Sequence, residues 1–406
     1  MFKFDFQIEE EDEENALLTS QTNTAQAGPS THPPPPVKDE GDKNCYHITL
    51  EELLNSLPEE ISYSPLSLPF LETPLLRRDL FDARFQLYNK ADIQDSDQGK
   101  KDQGEEYVDA KTDLIPGLYE GGLKSWEGGV DLVEVLSSIG NDQKDIADWV
   151  RGSSVLEVGC GTSLPTLYLL RSLLSIPPPS SSSSSALTSS TKTIFHLQDY
   201  NSLVLSLVTL PNLILSTIPY LPVEALHAPN DEEDVESVLP DLENPGNLII
   251  TSKLKDAFIT LLKERNIQLK FTYGHWDGLS NSLKKDQDKG YNLVLTAETI
   301  YAEESNESLL SVLKQSIKGS TEENLHKEDV QLEDSLGNLK VDDEWKIKPL
   351  REQGEGFVLI AAKILYFGVG GGLTAFLNRV EDNKGWWKNV KDWTKGVGRK
   401  VVQVGW

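Results

Sequence analysis

The feature that most constrains this chain is the stretch Val155-Leu156-Glu157-Val158-Gly159-Cys160-Gly161-Thr162-Ser163, followed by the leucine-rich run Leu164 to Leu170. An apolar segment ends in a carboxylate, breaks into two glycines and passes into a helical pattern. That is a strand, a tight turn and a helix start, the first unit of a βαβ crossover. Glycines let a backbone approach a ligand where a Cβ would collide, and a helix start offers free N–H groups. Such a turn serves either a dinucleotide or an adenosyl cofactor.

The two readings differ at named positions. A dinucleotide turn reads G-x-G-x-x-G, its third glycine admitting close helix–strand packing. Counted from Gly159, the glycines are Gly159 and Gly161, and Leu164 stands where the third belongs. Glu157 lies two positions before the first glycine, where a dehydrogenase strand is usually apolar. A carboxylate there suits a ligand bearing an ammonium group, which favours S-adenosylmethionine over a nicotinamide nucleotide.

Asp199 ends the next apolar strand, Thr193 to Gln198, and is the expected partner of ribose hydroxyls; the alternative is a helix cap. Glu298 follows the buried run Tyr291 to Thr296, at the edge where open α/β sheets bind ligands. Tyr301, three residues on, is expected to face the reacting group with it, the alternative being a cap and a packed ring. His196 reads as a core histidine and His275 as a loop residue beside Trp276. The histidines show no metal-ligand spacing, so no metal is expected, and no G-x-S-x-G elbow is evident.

Strands alternating with helices argue an open α/β sheet, mainly parallel, with helices on both faces. Further strands are expected at Leu269 to Tyr273 and Gly356 to Lys363, a helix over Ser202 to Leu210, and a helix then a strand, Lys400 to Val404, in the C-terminal part containing Trp386, Trp387 and Trp393. Residues 1–44, with an acidic run from Glu9 to Glu14 and prolines from Pro33 to Pro36, read as a disordered tail. Residues 45–110 read as a partly ordered arm, with a short Thr-capped helix near Ile48 to Leu54. Residues 111–406 form the main domain, with low-complexity insertions near 177–190, 229–246 and 319–354.

The chain has 406 residues, 38% of them hydrophobic, and a net charge of −27. That field repels phosphate backbones and argues against direct nucleic-acid binding; a basic protein partner fits it better. Two cysteines, Cys45 and Cys160, imply no disulfide framework and an intracellular compartment. No uncharged apolar run near about 18 residues is expected, hence no membrane span.

Five segments together resemble the histidine protein methyltransferases, class I enzymes with a Rossmann-like seven-strand sheet. They are Tyr119 to Lys124 with Trp126-Glu127, Leu156 to Gly161, Gln198 to Asn201, Leu295 to Tyr301, and Ala362 to Gly372 with its glycine cluster. Ser163 stands where the family usually has glycine, and Gly128-Gly129 replace bulkier residues. The resemblance implies an S-adenosyl-L-methionine cofactor, with Ser125, Trp126, Glu127, Gly128 and Gly129 over it. Glu157, Gly159, Gly161 and Ala297 would border its methionine part. Gln198, Asp199 and Tyr200 would hold the adenosine, and Gly274, His275 and Trp276 would border the adenine. Tyr366 to Gly372 would rim the substrate. The implied reaction is methyl transfer to an imidazole nitrogen of a histidine in a large-subunit ribosomal protein, in cytoplasm and nucleus. Lysine methylation on the same fold, or cofactor binding without catalysis, are the alternatives.

Overall fold

The computed structural model describes residues 43–86, 114–115, 119–120, 122–140, 142–177, 191–227, 239–285, 290–317, 346, 348–366 and 372–406. Most of the expected tail and insertions, and residues 367–371 of the glycine cluster, lie outside the described residues.

Residues Cys45–Ile48 form β1, and Thr49 then starts the helix Leu50–Asn55 with a capping box. The Glu52 amide donates to Thr49 Oγ1 (3.1 Å) and the Thr49 amide to Glu52 Oε2 (2.7 Å), which satisfies two end donors reciprocally. Next come β2 (Glu60–Leu66) and β3 (Leu75–Arg78), then the short strands β4 (Leu114–Ile115) and β5 (Tyr119–Glu120), which pair with each other. Helices Glu127–Ser137 and Gln143–Val150 precede β6 (Ser154–Val158). Beyond it lie the helix Leu164–Ser175, β7 (Thr193–Asp199), a helical stretch Ser202–Tyr220 and β8 (Gly246–Ile249). The rest alternates: helix Ser252–Glu264, β9 (Ile267–Gly274), helix Trp276–Lys285, β10 (Leu293–Ala297), helix Asn306–Ser316, β11 (Phe357–Lys363), helix Leu373–Asp382, β12 (Trp386–Trp393) and β13 (Arg399–Gly405).

Eight strands form one sheet in the order β1-β9-β7-β6-β10-β11-β13-β12, and β3-β2-β8 form a second, antiparallel one. The strands β9, β7, β6, β10 and β11 run parallel; β13 is antiparallel to β11, and β12 to β13. Counting from β6 and leaving out β8, the order is 3-2-1-4-5-7-6, with the last strand inserted antiparallel. The dinucleotide fold instead runs 3-2-1-4-5-6. This is the class I methyltransferase arrangement, and it removes the dehydrogenase reading independently of the missing third glycine. β1 adds an eighth strand at the edge, antiparallel to β9.

Alternate residues of the central strands enter two separate cores, one on each face. Val155, Leu293, Leu295, Phe357 and Leu359 join the first, with Leu132, Leu167 and Leu213 from helices. Leu156, Val294, Val358 and Ile360 join the second, with Leu279, Leu309 and Phe376. Strands buried on both faces need near-continuous apolar sequence; β11 has it from Phe357 to Ala362, and β6 and β10 have it apart from Ser154, Glu157 and Thr296. Each fully buried leucine or valine contributes about 1.5–3 kcal/mol.

Two expectations are corrected. The helix from Ser202 does not stop at Leu210 but continues to Tyr220 through a π segment, Leu205–Thr209. This stretch of 19 residues is by length and composition apolar enough to cross a membrane, contrary to the sequence reading, yet 83% of its apolar window is buried inside the protein. A helix apolar all round is what a core position requires. At the C-terminus the helix lies earlier, at Leu373–Asp382, and the three tryptophans occupy β12, an edge strand.

Candidate functional site

The strand ends gather at one edge. β6 runs into Gly159, β7 ends on Asp199, β9 on Gly274, β10 on Ala297 and β11 on Lys363. Because these strands are parallel, their carboxyl ends lie on the same side, and the strand order reverses between β6 and β10.

The glycine turn is shaped by what surrounds it. Gly159 and Gly161 have φ of +63° and +48°, a region that L side chains enter at a cost. A Cβ on Gly159 would lie 2.6 Å from Thr299 Cγ2, and one on Gly161 3.2 Å from the Gly122 carbonyl. Ser163 is also left-handed, at +60°, in the place where the family usually has glycine. Its Oγ donates to Glu157 Oε2 (3.0 Å), and the Thr166 hydroxyl and amide converge on the same oxygen. Burial pushes the Glu157 carboxyl up to about 7 despite these donors. From behind, Thr209 in the π segment donates to the Gly161 carbonyl (2.7 Å), and Asn212 Nδ2 to that of Thr162 (3.0 Å). The π segment thus positions the turn, a use to which such bulges are frequently put.

Asp199 does not cap the following helix; Asn201 does, accepting the Leu203 amide (2.9 Å). Asp199 turns to the glycine turn instead, Oδ2 accepting the Gly161 amide (2.9 Å), and burial lifts its carboxyl to about 6. Gln198, expected to hold the adenosine, is the penultimate residue of β7. It is completely enclosed, its Oε1 accepting from the Gly159 amide (3.3 Å) and Trp276 Nε1 (3.1 Å), while Nε2 donates to the Gly274 carbonyl (3.2 Å). With every polar side-chain atom engaged, it braces the turn against β9. Tyr200 is half exposed, with its ring edge-on to His275 at 5.7 Å. Gly274 has φ +109°, and a Cβ there would lie 2.5 Å from the Asn44 carbonyl just before β1.

The segment before the helix Glu127–Ser137 closes the other side. Ser125 Oγ donates to Thr162 Oγ1 (3.2 Å). Lys124 and Lys363 stand over the Trp126 ring at 5.0 and 5.8 Å, and Lys363 Nζ is 3.7 Å from Glu127 Oε2. Asp131 and Glu134 pin this helix to the C-terminal strands through Arg399 (2.8 Å) and Lys391 (2.6 Å).

Glu298 is left-handed at φ +56°, its amide donating to the Ala361 carbonyl (2.9 Å). The carboxylate lies against Gly128, where a Cβ would be 3.0 Å from Oε1. Gly128, one of the departures from the family pattern, therefore leaves room for it. The phenol bonded to Glu298 is not Tyr301 but Tyr366, which donates to Oε2 at 2.6 Å. Glu298 Oε1 is buried and has no hydrogen-bond partner among the described residues. Burial raises the carboxyl above the usual range, while the Tyr366 bond and Lys363 oppose the shift. His196 is the core histidine expected, its nitrogens engaged by Tyr291 and Thr272.

No protein-family model matches the sequence. Histidine protein methyltransferase 1 of Saccharomyces cerevisiae is 31% identical over 338 residues, 82% of this chain and 76% of that protein. The Schizosaccharomyces pombe protein of the same name is 28% identical over 361 residues, 87% of this chain and 83% of its own. A homologue from Bos taurus is 28% identical over 273 residues, 67% and 51% of the two chains. Identity at that level across most of both yeast proteins, together with the sheet order, decides the assignment: the chain belongs to the histidine protein methyltransferase family and is an S-adenosylmethionine-dependent enzyme.

Proposed function

We propose that this enzyme methylates an imidazole nitrogen of a histidine in a basic large-subunit ribosomal protein, in the cytoplasm and the nucleus where such proteins are made and assembled. The observation that carries the reading is the Glu298 carboxylate at the sheet edge, one oxygen held by Tyr366 and the other buried without a partner among the described residues. An unpaired buried acceptor costs about 1–3 kcal/mol unless a donor reaches it, and a ring N–H is such a donor. The net charge of −27 supports a basic partner.

The residues fit the cofactor. Gly159 and Gly161 keep a Cβ-free backbone beside two buried carboxylates, Glu157 and Asp199, suited to an ammonium group and to ribose hydroxyls. Tyr200, His275 and Trp276 would flank the adenine, with Gln198 holding Trp276 and Gly274 in place. Ser125, Trp126, Glu127, Gly129 and Ala297 would close over the methionine portion. When bound, S-adenosylmethionine supplies an electrophilic methyl group.

Neutral imidazole is nucleophilic near neutral pH, since its ordinary pKa is about 6.5. Glu298 Oε1 accepts the N–H of one ring nitrogen, which selects the tautomer and aims the other nitrogen's lone pair outward. Bond formation at that nitrogen makes the ring cationic, and the carboxylate then takes the N–H proton, leaving neutral methylhistidine. A carboxyl raised by burial is better matched to that transfer than an ordinary one. Holding the ring in line contributes several kcal/mol, up to about 7–11 in favourable systems.

The test is Glu298→Gln, which keeps shape and removes the proton acceptor. Turnover should fall by about a hundredfold or more while affinity for S-adenosylhomocysteine stays within about twofold. Lost affinity with unchanged single-turnover rate would remove Glu298 from the chemistry.

A further inference from the structure

We infer that Tyr366 is a positioning residue, which locks one oxygen of Glu298 so that the other alone meets the acceptor; this rests on the function proposed above. Tyr366 lies three residues beyond the end of β11 and 68 residues from Glu298 in sequence. Its phenol oxygen accepts the Lys363 amide at 3.2 Å, which fills an acceptor position and leaves the hydroxyl proton to donate to Glu298 Oε2 at 2.6 Å. The donor direction is thereby set by the backbone of β11. The other end of the pair is fixed just as firmly. Glu298 is left-handed, and its amide donates a hydrogen bond to the carbonyl of Ala361, the residue paired in register with Ala297.

Two adjacent strand ends therefore present one carboxylate from opposite sides, β10 carrying it and β11 orienting it. The remaining oxygen, Oε1, is pressed toward Gly128 and has no bond among the described residues. A carboxylate free to turn would offer either oxygen, or both, to a multi-donor ammonium group. Locked this way it offers one acceptor, which matches the single N–H of a neutral imidazole.

Charged groups from each packed element act on the same carboxylate: Glu127 and Asp131 from the helix, and Lys363 from β11. Among these the phenol is the hydrogen-bond donor to the ionised form, so its removal shifts the carboxyl upward and Oε2 becomes a second orphan.

The experiment compares wild type, Tyr366→Phe, Glu298→Gln and the double variant. In carbon-13 NMR the Glu298 carboxyl, assigned by its loss in Glu298→Gln, should titrate at higher pH in Tyr366→Phe than in wild type. In the unmodified protein the Tyr366 Cζ resonance should follow that same titration, which needs no variant. Turnover in Tyr366→Phe should fall about tenfold, with the acid limb of its pH profile moved upward and affinity for S-adenosylhomocysteine unchanged. The double variant should be no slower than Glu298→Gln alone. An unmoved Glu298 titration, a Tyr366 resonance indifferent to it, or losses that multiply in the double variant would each overturn the inference. The titrations require no acceptor, so they stand apart from the identity of the methylated residue, which peptide mapping decides.

Discussion

Gly159→Ala isolates what the glycine turn requires. A left-handed conformation costs a side-chain-bearing residue about 1–2 kcal/mol, and Gly159 sits at φ +63°. The new methyl would lie 2.6 Å from Thr299 Cγ2, well inside contact distance, and forced overpacking of this kind costs about 1–3 kcal/mol. Reduced freedom of the unfolded chain returns about 0.4–1 kcal/mol, so the net loss is roughly 1–5 kcal/mol. The two costs separate experimentally. Thr299→Ser deletes the opposing methyl and keeps the hydroxyl that pairs with Thr296 (2.7 Å). If the clash is real, the double variant regains about 1–3 kcal/mol of what Gly159→Ala loses, and only the backbone cost remains. Urea denaturation of the four proteins measures this coupling, and calorimetry with S-adenosylhomocysteine follows the site in parallel. Additivity within about 0.5 kcal/mol would refute the steric account and leave the turn's glycine explained by backbone conformation alone.

Asp199→Ala should weaken S-adenosylhomocysteine binding at least about tenfold, or ~1.4 kcal/mol, with the fold retained by circular dichroism; unchanged affinity would remove the ribose contact. Because burial holds the Glu157 carboxyl up at about 7, a ligand ammonium that needs the ionised form should bind more tightly as pH rises through that value. Calorimetry across this range should show the slope in wild type and a flat profile in Glu157→Gln. For His196 the shift runs downward, and it too favours the higher pH. Burial, Lys270 and His47 push it down to about 3, against about 6.5 when unfolded. Its contribution to stability is complete above about 6.5 and is lost as pH falls below it. Its ring resonances should stay unshifted down to about pH 5, and a midpoint near 6.5 would show an exposed ring.

The parts of the fold readable in the sequence are those set by local pattern. Apolar runs locate β6, β7, β10 and β11; paired glycines locate the turn; Thr49 with Glu52 locates a helix start. His196 was recognisable as a core residue because it interrupts an apolar strand. What depends on strand register was not legible. Tyr301 stands near Glu298 in sequence, yet the parallel pairing of Ala297 with Ala361 brings Tyr366 to it. Gln198 reads as an adenosine contact, and its bonds to Gly159, Gly274 and Trp276 join three segments that no local pattern brings together. Pro211, which has no N–H to donate to a helical ladder, directly follows the expected helix end at Leu210. The π segment immediately before it carries the change of register, and the helix continues. The tryptophans of β12 lie at an outer edge, next to a bulge between Asn389 and Lys391, so no clean alternation marks them as a strand.

The most direct test of the central claim is to incubate the enzyme with methyl-labelled S-adenosylmethionine and unmodified large-subunit ribosomal proteins, then map the label by peptide sequencing in the mass spectrometer. The account predicts one labelled peptide in a basic protein, with the methyl on a histidine ring nitrogen and the label lost in Glu298→Gln. Label on a lysine, or none in any ribosomal protein despite measurable cofactor binding, would contradict it.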